Sequence, residues 1–103
     1  MKGSNVGKNQ VEAIAKASAS NGVGNVSVNN ASTAVAAASS TRKAIMLFND
    51  SNETIYVSYG VAAQMNKGGR LNANGGYIRE EIFKGAINAI CASGGKNLTF
   101  III

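Results

Sequence analysis

The sequence contains no histidine, no tryptophan and no proline, and its single cysteine is Cys91. The lack of histidine removes the side chain on which most general-base, catalytic-triad and zinc-site chemistry depends. A lone cysteine excludes an internal disulfide, so the fold needs no oxidising compartment. We therefore expect no catalytic residue, no metal site and no cofactor, and an enzyme is the least favoured class.

Long apolar segments are also missing. Met1-Lys2 leads into polar residues and not into the apolar core of a secretory signal peptide. The aliphatic run at residues 101–103 is far too short to cross a bilayer. These features predict a protein that is made and kept in a cytoplasm, with no membrane partner.

Charge is present in modest amount, with 10 basic and 5 acidic residues and a formal net charge of +5 among 103 residues. The excess is spread along the chain, and no basic run of the nucleic-acid-binding kind occurs. Nucleic acid is therefore not expected as a partner. The mild positive charge favours weak attraction to acidic surfaces.

The residues that could carry chemistry have simpler structural interpretations. Cys91 lies in an apolar segment, where a free cysteine usually packs in the core. Glu80 and Glu81 are adjacent, so on a strand they point to opposite faces and cannot work as an acid/base pair. The glycines at 22, 24, 68 and 69 lack phosphate-loop spacing and indicate turns.

The composition changes near residue 41. Residues 1–40 are rich in Ala, Ser, Asn and Gly and contain no aromatic residue and no Leu, whereas all aromatics lie in residues 42–103. A segment so poor in large apolar residues buries too little surface to fold alone. The sequence therefore predicts an N-terminal arm, residues 1–41, that is separable from a folded body, residues 42–103. Within the arm, a possible capping box predicts a short helix at residues 9–17, and residues 26–28 give a weak strand signal.

The body is punctuated by turn residues into about five strands at regular spacing, typical of a small antiparallel β-sandwich or barrel. Residues 61–76 are predicted as a long Gly/Asn-rich connection. The expected strands are residues 43–48, 54–59, 77–83, 86–91 and 98–103. Residues 44–48 form the densest large apolar run and should be the centre of the core. The last strand ends on bare isoleucines, and an open apolar edge of this kind invites pairing with another chain, so we expect either the body or assembly to cover it.

Four segments of the body, taken in order, resemble small structural proteins of tailed bacteriophages. They are Arg42-Lys-Ala-Ile-Met-Leu-Phe-Asn-Asp-Ser51, Ile55-Tyr-Val-Ser-Tyr-Gly60, Gly75-Gly-Tyr77 and Phe83-Lys-Gly-Ala-Ile-Asn-Ala-Ile90. The resemblance covers about residues 42–95. This chain departs from the pattern in lacking a proline before Gly75 and in carrying the arm.

The resemblance implies a β-sandwich and a virion location after synthesis in a bacterial host's cytoplasm. Capsid cement or decoration is the leading expectation, a tail, collar or fibre-attachment subunit is the alternative, and a soluble ligand-binding module is the third. The implied partners are the major capsid protein or other virion proteins, together with further copies of the chain, for which a trimer is favoured.

Candidate interface residues follow from position and residue type. Arg42 and Lys43 lie where arm meets body and could anchor an acidic neighbour, or simply begin a strand. The three tyrosines could form an interface patch, because tyrosine is enriched in such contacts, or could be core residues. The full candidate set is Arg42, Lys43, Tyr56, Tyr59, Tyr77, Ile101, Ile102 and Ile103.

Overall fold

The computed structural model describes residues 22–103, and every regular element in that range is a β-strand. The short helix predicted at residues 9–17 lies outside the described residues. The strands are β1 (Gly22–Val28), β2 (Thr33–Ala36), β3 (Ile45–Asn49), β4 (Ile55–Tyr59), β5 (Gly69–Leu71), β6 (Tyr77–Glu80), β7 (Ile87–Cys91) and β8 (Lys96–Ile102).

The eight strands form two four-stranded antiparallel sheets. Sheet A has the order β1-β8-β3-β6, and sheet B has the order β2-β7-β4-β5. The inner faces of both sheets contribute to one buried apolar cluster. The predicted fold class, a mainly-β antiparallel sandwich, is confirmed.

The alternation of inward and outward side chains that builds the core is clearest in β3. In β3, Ile45 and Leu47 are fully buried while Met46 and Phe48 are partly exposed, because successive side chains point to opposite faces of a sheet. Leu47 meets Ile55 and Leu98 in a cluster built from both sheets. The expectation that the residue 44–48 segment centres the core agrees with this arrangement.

Residues 22–36, which composition assigned to the arm, supply one strand to each sheet. β1 pairs with β8 along its whole length, and β2 pairs with β7. Each is an edge strand, which needs only one neighbour and one apolar face, and Val26 and Val28 are enough to provide that face in β1. Low average hydrophobicity therefore does not prevent these residues from joining the sandwich.

The C-terminal strand has a different place from the one expected. β8 lies between β1 and β3 and is hydrogen-bonded on both sides. Just beyond it, the N–H of Ile103 donates to the carbonyl of Ala44 at 2.9 Å. Of the two expected ways of covering this strand, by the same chain or by assembly, the structure shows the first, because β1 from the predicted arm pairs with it.

The predicted connection at residues 61–76 contains one short strand, β5, beside β4. Gly68 precedes it with a φ of +86°, and a Cβ there would lie 2.2 Å from the carbonyl oxygen of Val57. Only glycine allows the chain to approach β4 this closely. Alternation could not show a strand of three residues.

Leu47→Ala should lower the free energy of unfolding by roughly 2–5 kcal/mol, because it leaves a cavity where a fully buried side chain stood. Met46→Ala is the matched control, because Met46 is next to Leu47 in β3 but its side chain lies on the outer face. This substitution should lower the free energy of unfolding by less than about 1 kcal/mol. Chemical denaturation measures both. Equal losses in the two variants would contradict the assigned facing of β3.

Deletion of residues 1–40 should abolish cooperative unfolding, because it removes β1 from sheet A and β2 from sheet B. A chain that begins at Gly22 keeps every described strand and serves as the control. Thermal unfolding followed by circular dichroism distinguishes them. A cooperative transition in the chain lacking residues 1–40 would show that the six remaining strands fold alone.

Candidate interaction surface

Arg42 is an internal clamp and not a surface anchor. Its side chain is only 2% exposed, and its guanidinium donates to the carbonyls of Ala37, Phe83 and Gly85 at 3.1, 2.9 and 2.8 Å. Burial lowers the pKa of Arg42, and the Glu80 carboxylate nearby raises it. The clamp ties the segment after β2 to the loop between β6 and β7, so no part of Arg42 is presented to an acidic neighbour.

The loop held by Arg42 is built around the Phe83 ring. Tyr59 stacks on this ring with centroids 5.3 Å apart, and a Cβ on Gly85 would lie 2.5 Å from the ring edge. Glu80 accepts the backbone N–H groups of Ile82 and Phe83, each at 2.9 Å. These two bonds lower the pKa of Glu80. The Phe83 ring and the Glu80 carboxylate therefore determine the shape of this loop.

A network of hydrogen bonds around Asn49 joins the turn after β3 to the turn before β6. Asn49 is fully buried, and its side-chain amide donates to the carbonyls of Glu53 and Leu71 at 2.8 and 3.0 Å. The N–H of Gly75 donates to the Asn49 carbonyl at 2.8 Å, and Ser51 donates to the Asn49 side-chain oxygen at 2.7 Å. The segments around Asn49 and Gly75 are therefore held together by hydrogen bonds, as the segments around Tyr59 and Phe83 are by ring stacking.

The three candidate tyrosines do not form one patch. Tyr56 is nearly buried beneath the segment that contains Ala63, and its hydroxyl accepts a hydrogen bond from Arg70 at 3.2 Å. Tyr59 stacks on Phe83 at the end of β4. Tyr77 lies in the other sheet, in β6, and is 66% exposed.

Tyr77 belongs to the outer face of sheet A, the surface opposite the core. The strand registers place Asn25, Thr99, Phe48 and Tyr77 side by side in one row across the sheet. The rings of Phe48 and Tyr77 stack with centroids 5.8 Å apart. One end of this row is therefore an exposed aromatic pair.

A neighbouring row on the same face contains Val23, Ile101, Met46 and Arg79. Val23 is 79% exposed, and Ile101 and Met46 are partly exposed. Together the two rows form what we call the sheet A surface, in which polar residues stand among five apolar ones: Val23, Met46, Phe48, Tyr77 and Ile101. Exposed apolar side chains grouped on one face in this way are typical of an interaction site.

The remaining candidates flank this surface or lie within the sandwich. Ile102 points inward and packs against the core cluster. Ile103 is 41% exposed, and Lys43, also exposed, lies beside it, since its N–H donates to the Ile103 carbonyl. Of the eight sequence candidates, Tyr77 and Ile101 lie on the sheet A surface. Val23, Met46 and Phe48 were missed. Residues 45–48 are all apolar, so the two-residue period of a strand puts Met46 and Phe48 on one face but does not tell which face is the outer one.

A separate open cleft of about 670 Å³ lies at the end of β4, and most of its lining is apolar. The lining residues are Val57, Ser58, Tyr59, Val61, Ala62, Gln64, Lys67, Gly68 and Gly69. Ser58 and Asn88 both donate to the carbonyl of Val61, at 2.5 and 2.8 Å, and so fix the segment on one side of the cleft.

Comparison with protein-family models, with curated proteins and with solved structures finds no match to this chain. Within residues 22–103 there is no cluster of three acidic, cysteine or histidine side chains suited to a metal ion. The same range has no helix with the length and apolar character to cross a membrane. Function is therefore inferred from the surface itself.

Arg42→Met should lower the free energy of unfolding by roughly 3–5 kcal/mol, because three carbonyls lose a charged donor inside the fold. Arg79→Met is the control, because the Arg79 side chain is 45% exposed and pairs with Glu81 at the surface. This substitution should lower the free energy of unfolding by about 0.5 kcal/mol. Denaturant titration of both variants gives the comparison. A loss at Arg42 no larger than at Arg79 would show that the clamp contributes little.

Proposed function

We propose that this chain is a non-enzymatic structural subunit of a bacteriophage virion that acts as capsid cement or decoration. The observation that carries the proposal is the sheet A surface, whose apolar side chains face away from the core. A subunit of this kind sits across a junction of capsid subunits and stabilises the head by burying surface. The resemblance of residues 42–95 to tailed-phage proteins supports the virion setting.

The energetics suit a repeated contact. Fully burying one large apolar side chain contributes about 1.5–3 kcal/mol, so covering Val23 and Tyr77 would supply a few kcal/mol per copy. A modest contact becomes effectively permanent when many linked copies make it at once. This is how a cement protein works without a single tight site.

The polar groups of the interior support a structural role. The buried polar side chains of the described range are Arg42 and Asn49, and both bond to backbone carbonyls of the sandwich. Cys91 is buried, and burial raises the pKa of its thiol, which keeps it protonated and unreactive near neutral pH. These groups are engaged in contacts that maintain the fold.

The cleft at the end of β4 favours a second function, a soluble ligand-binding module. Its volume, about 670 Å³, is within the range of small-molecule pockets, and Tyr59 and Lys67 give it polar groups beside an apolar lining. A chain with this function acts as a free monomer that binds a saturable ligand, and it has no place in a particle.

Purified phage particles test the proposal directly. The chain should be present at a fixed ratio to the major capsid protein, measured by quantitative mass spectrometry. Hundreds of copies per particle indicate the head, and a handful indicate the tail, collar or fibre attachment. Particles of the phage that encodes the chain, if they lack it, would overturn the proposal.

Surface variants sharpen the test. Tyr77→Ser should reduce incorporation and lower the temperature at which heads release DNA, because it removes the exposed ring of the sheet A surface. Ile82→Ser is the matched control, since Ile82 is 87% exposed but lies in the loop after β6, outside that surface. Equal incorporation of both variants would argue against this surface as the contact.

A further inference from the structure

Three of the four sheet edges carry features that prevent pairing with another chain. β2 has four residues and a register irregularity between Ala34 and Ala36. β5 has three residues, and Arg70 is one of them. β6 has four residues and includes Arg79 and Glu80. Short length, bulges and charges are the usual means by which proteins protect sheet edges.

β1 lacks each of these protections. It runs for seven residues from Gly22 to Val28 in an unbroken register with β8, and its sequence Gly-Val-Gly-Asn-Val-Ser-Val contains neither a charge nor a proline. Its other side is the outer edge of sheet A. Among residues 22–103, β1 is therefore the edge best suited to accept a further strand.

The hydrogen-bonding pattern identifies which groups of β1 face this edge. The backbone N–H and C=O groups of Ile103 both bond to those of Ala44, so the backbone groups of Ile103 are directed toward β3. Along an antiparallel strand this direction alternates from residue to residue. The backbone groups of Phe100 and Leu98 are therefore directed toward β1, where they bond to Gly24 and Val26. The N–H and C=O groups of Val23, Asn25 and Ser27 are then directed away from β8, toward the open edge of the sheet, and no described residue bonds to them.

This set of outward groups is complementary to itself. If a second β1 runs antiparallel about a two-fold axis at Asn25, Asn25 faces its own copy and Val23 faces Ser27. Each facing pair consists of residues whose backbone groups point toward each other, which gives about six backbone hydrogen bonds, two per pair. The pairing also keeps Val23, Asn25 and Ser27 on the outer face.

The inner face fits as well. A Cβ at Gly24 would lie 2.7 Å from the Phe100 ring, so that ring already covers the glycine. In the two-fold arrangement Val26 of the second copy stands opposite Gly24 and comes to lie beside the ring. The apolar side of the new pair is thus closed by a side chain already in place.

We propose that two copies of this chain join edge to edge through β1, antiparallel about a two-fold axis at Asn25, and form one continuous eight-stranded sheet. This inference rests on the proposed structural function, because it names how the subunits associate. The same junction joins two sheet A surfaces into one. A three-fold ring built through β1, in contrast, requires β1 to pair with one of the short, charged or irregular edges.

A charged side chain at position 25 tests the proposed two-fold axis, because this residue would face its own copy there. Asn25→Lys puts like charges directly opposite each other, and at low salt the dissociation constant of the pair should rise by about fivefold or more. Asn25→Glu should do the same. An equimolar mixture of the two variants should restore association, because Lys then faces Glu.

Sedimentation velocity on full-length protein over a concentration series gives these dissociation constants. Both variants lose the bond from Asn25 to Asn97, which measures 2.9 Å. Asn97→Ala, which removes the same bond without adding charge, is the control and should associate as the unchanged chain does. Hydrogen exchange adds a residue-level measurement: the amides of Val23, Asn25 and Ser27 should gain protection with concentration, while those of Gly24 and Val26 stay protected throughout.

Three results would overturn the inference. The first is a monomer at all concentrations with fast exchange at Val23, Asn25 and Ser27. The second is protection of these amides that does not change on dilution, which means that the chain covers its own edge. The third is association unaffected by either charge. A monomeric chain found in particles would remove this inference alone, and a dimeric chain absent from particles would remove the proposed function alone.

Discussion

The sandwich depends on β8 having a hydrogen-bonded neighbour on each side. One neighbour, β3, belongs to the aromatic-rich part of the chain, and the other, β1, belongs to the polar part. Without β1, the Leu98 and Phe100 side of β8 would be an open, strongly apolar edge, the kind of edge from which aggregates grow. β1 replaces that edge with a weaker one, in which valines alternate with polar residues. A less apolar edge of this kind can pair with a specific partner without promoting aggregation.

The interior compensates for its small size with fixed polar contacts. A domain of about 80 described residues with few aromatic side chains buries limited apolar area. Arg42 and Asn49 each join segments that are distant in sequence by donating hydrogen bonds to backbone carbonyls. Such contacts specify a unique arrangement of loops, because an unpaired buried carbonyl is costly.

Sequence reasoning recovered the strands whose apolar and polar residues alternate or whose residues favour β-structure. The segments at β3 and β4 are of this type, and the turn residues between them located their ends. β1 and β2 were assigned to an arm because hydrophobicity averaged over 40 residues hides two edge strands that each bury a single face. β5 had too few residues to show a period.

The candidate surface was predicted less well than the fold, for a physical reason. A terminal isoleucine run is equally compatible with an edge strand and a central one, and only pairing partners distant in sequence decide between them. The same limit applies to Arg42, which stands next to Lys43 and resembles it in sequence. Its burial depends on carbonyls more than 40 residues away, as the separations of 41 and 43 residues to Phe83 and Gly85 show.

The position of β8 also determines when the fold can form. Asn25 in β1 and Asn97 in β8, whose side chains are hydrogen-bonded diagonally across the two strands, are 72 residues apart. On the ribosome, β1 and β3 are therefore completed long before the strand that must lie between them, and sheet A closes only after residues 96–102 have been made. Closing so long a loop is slow, and for that interval two unfinished sheet edges are exposed to solvent. A newly made chain of this architecture should need either dilute conditions or a chaperone at the one stage when its own last strand is missing.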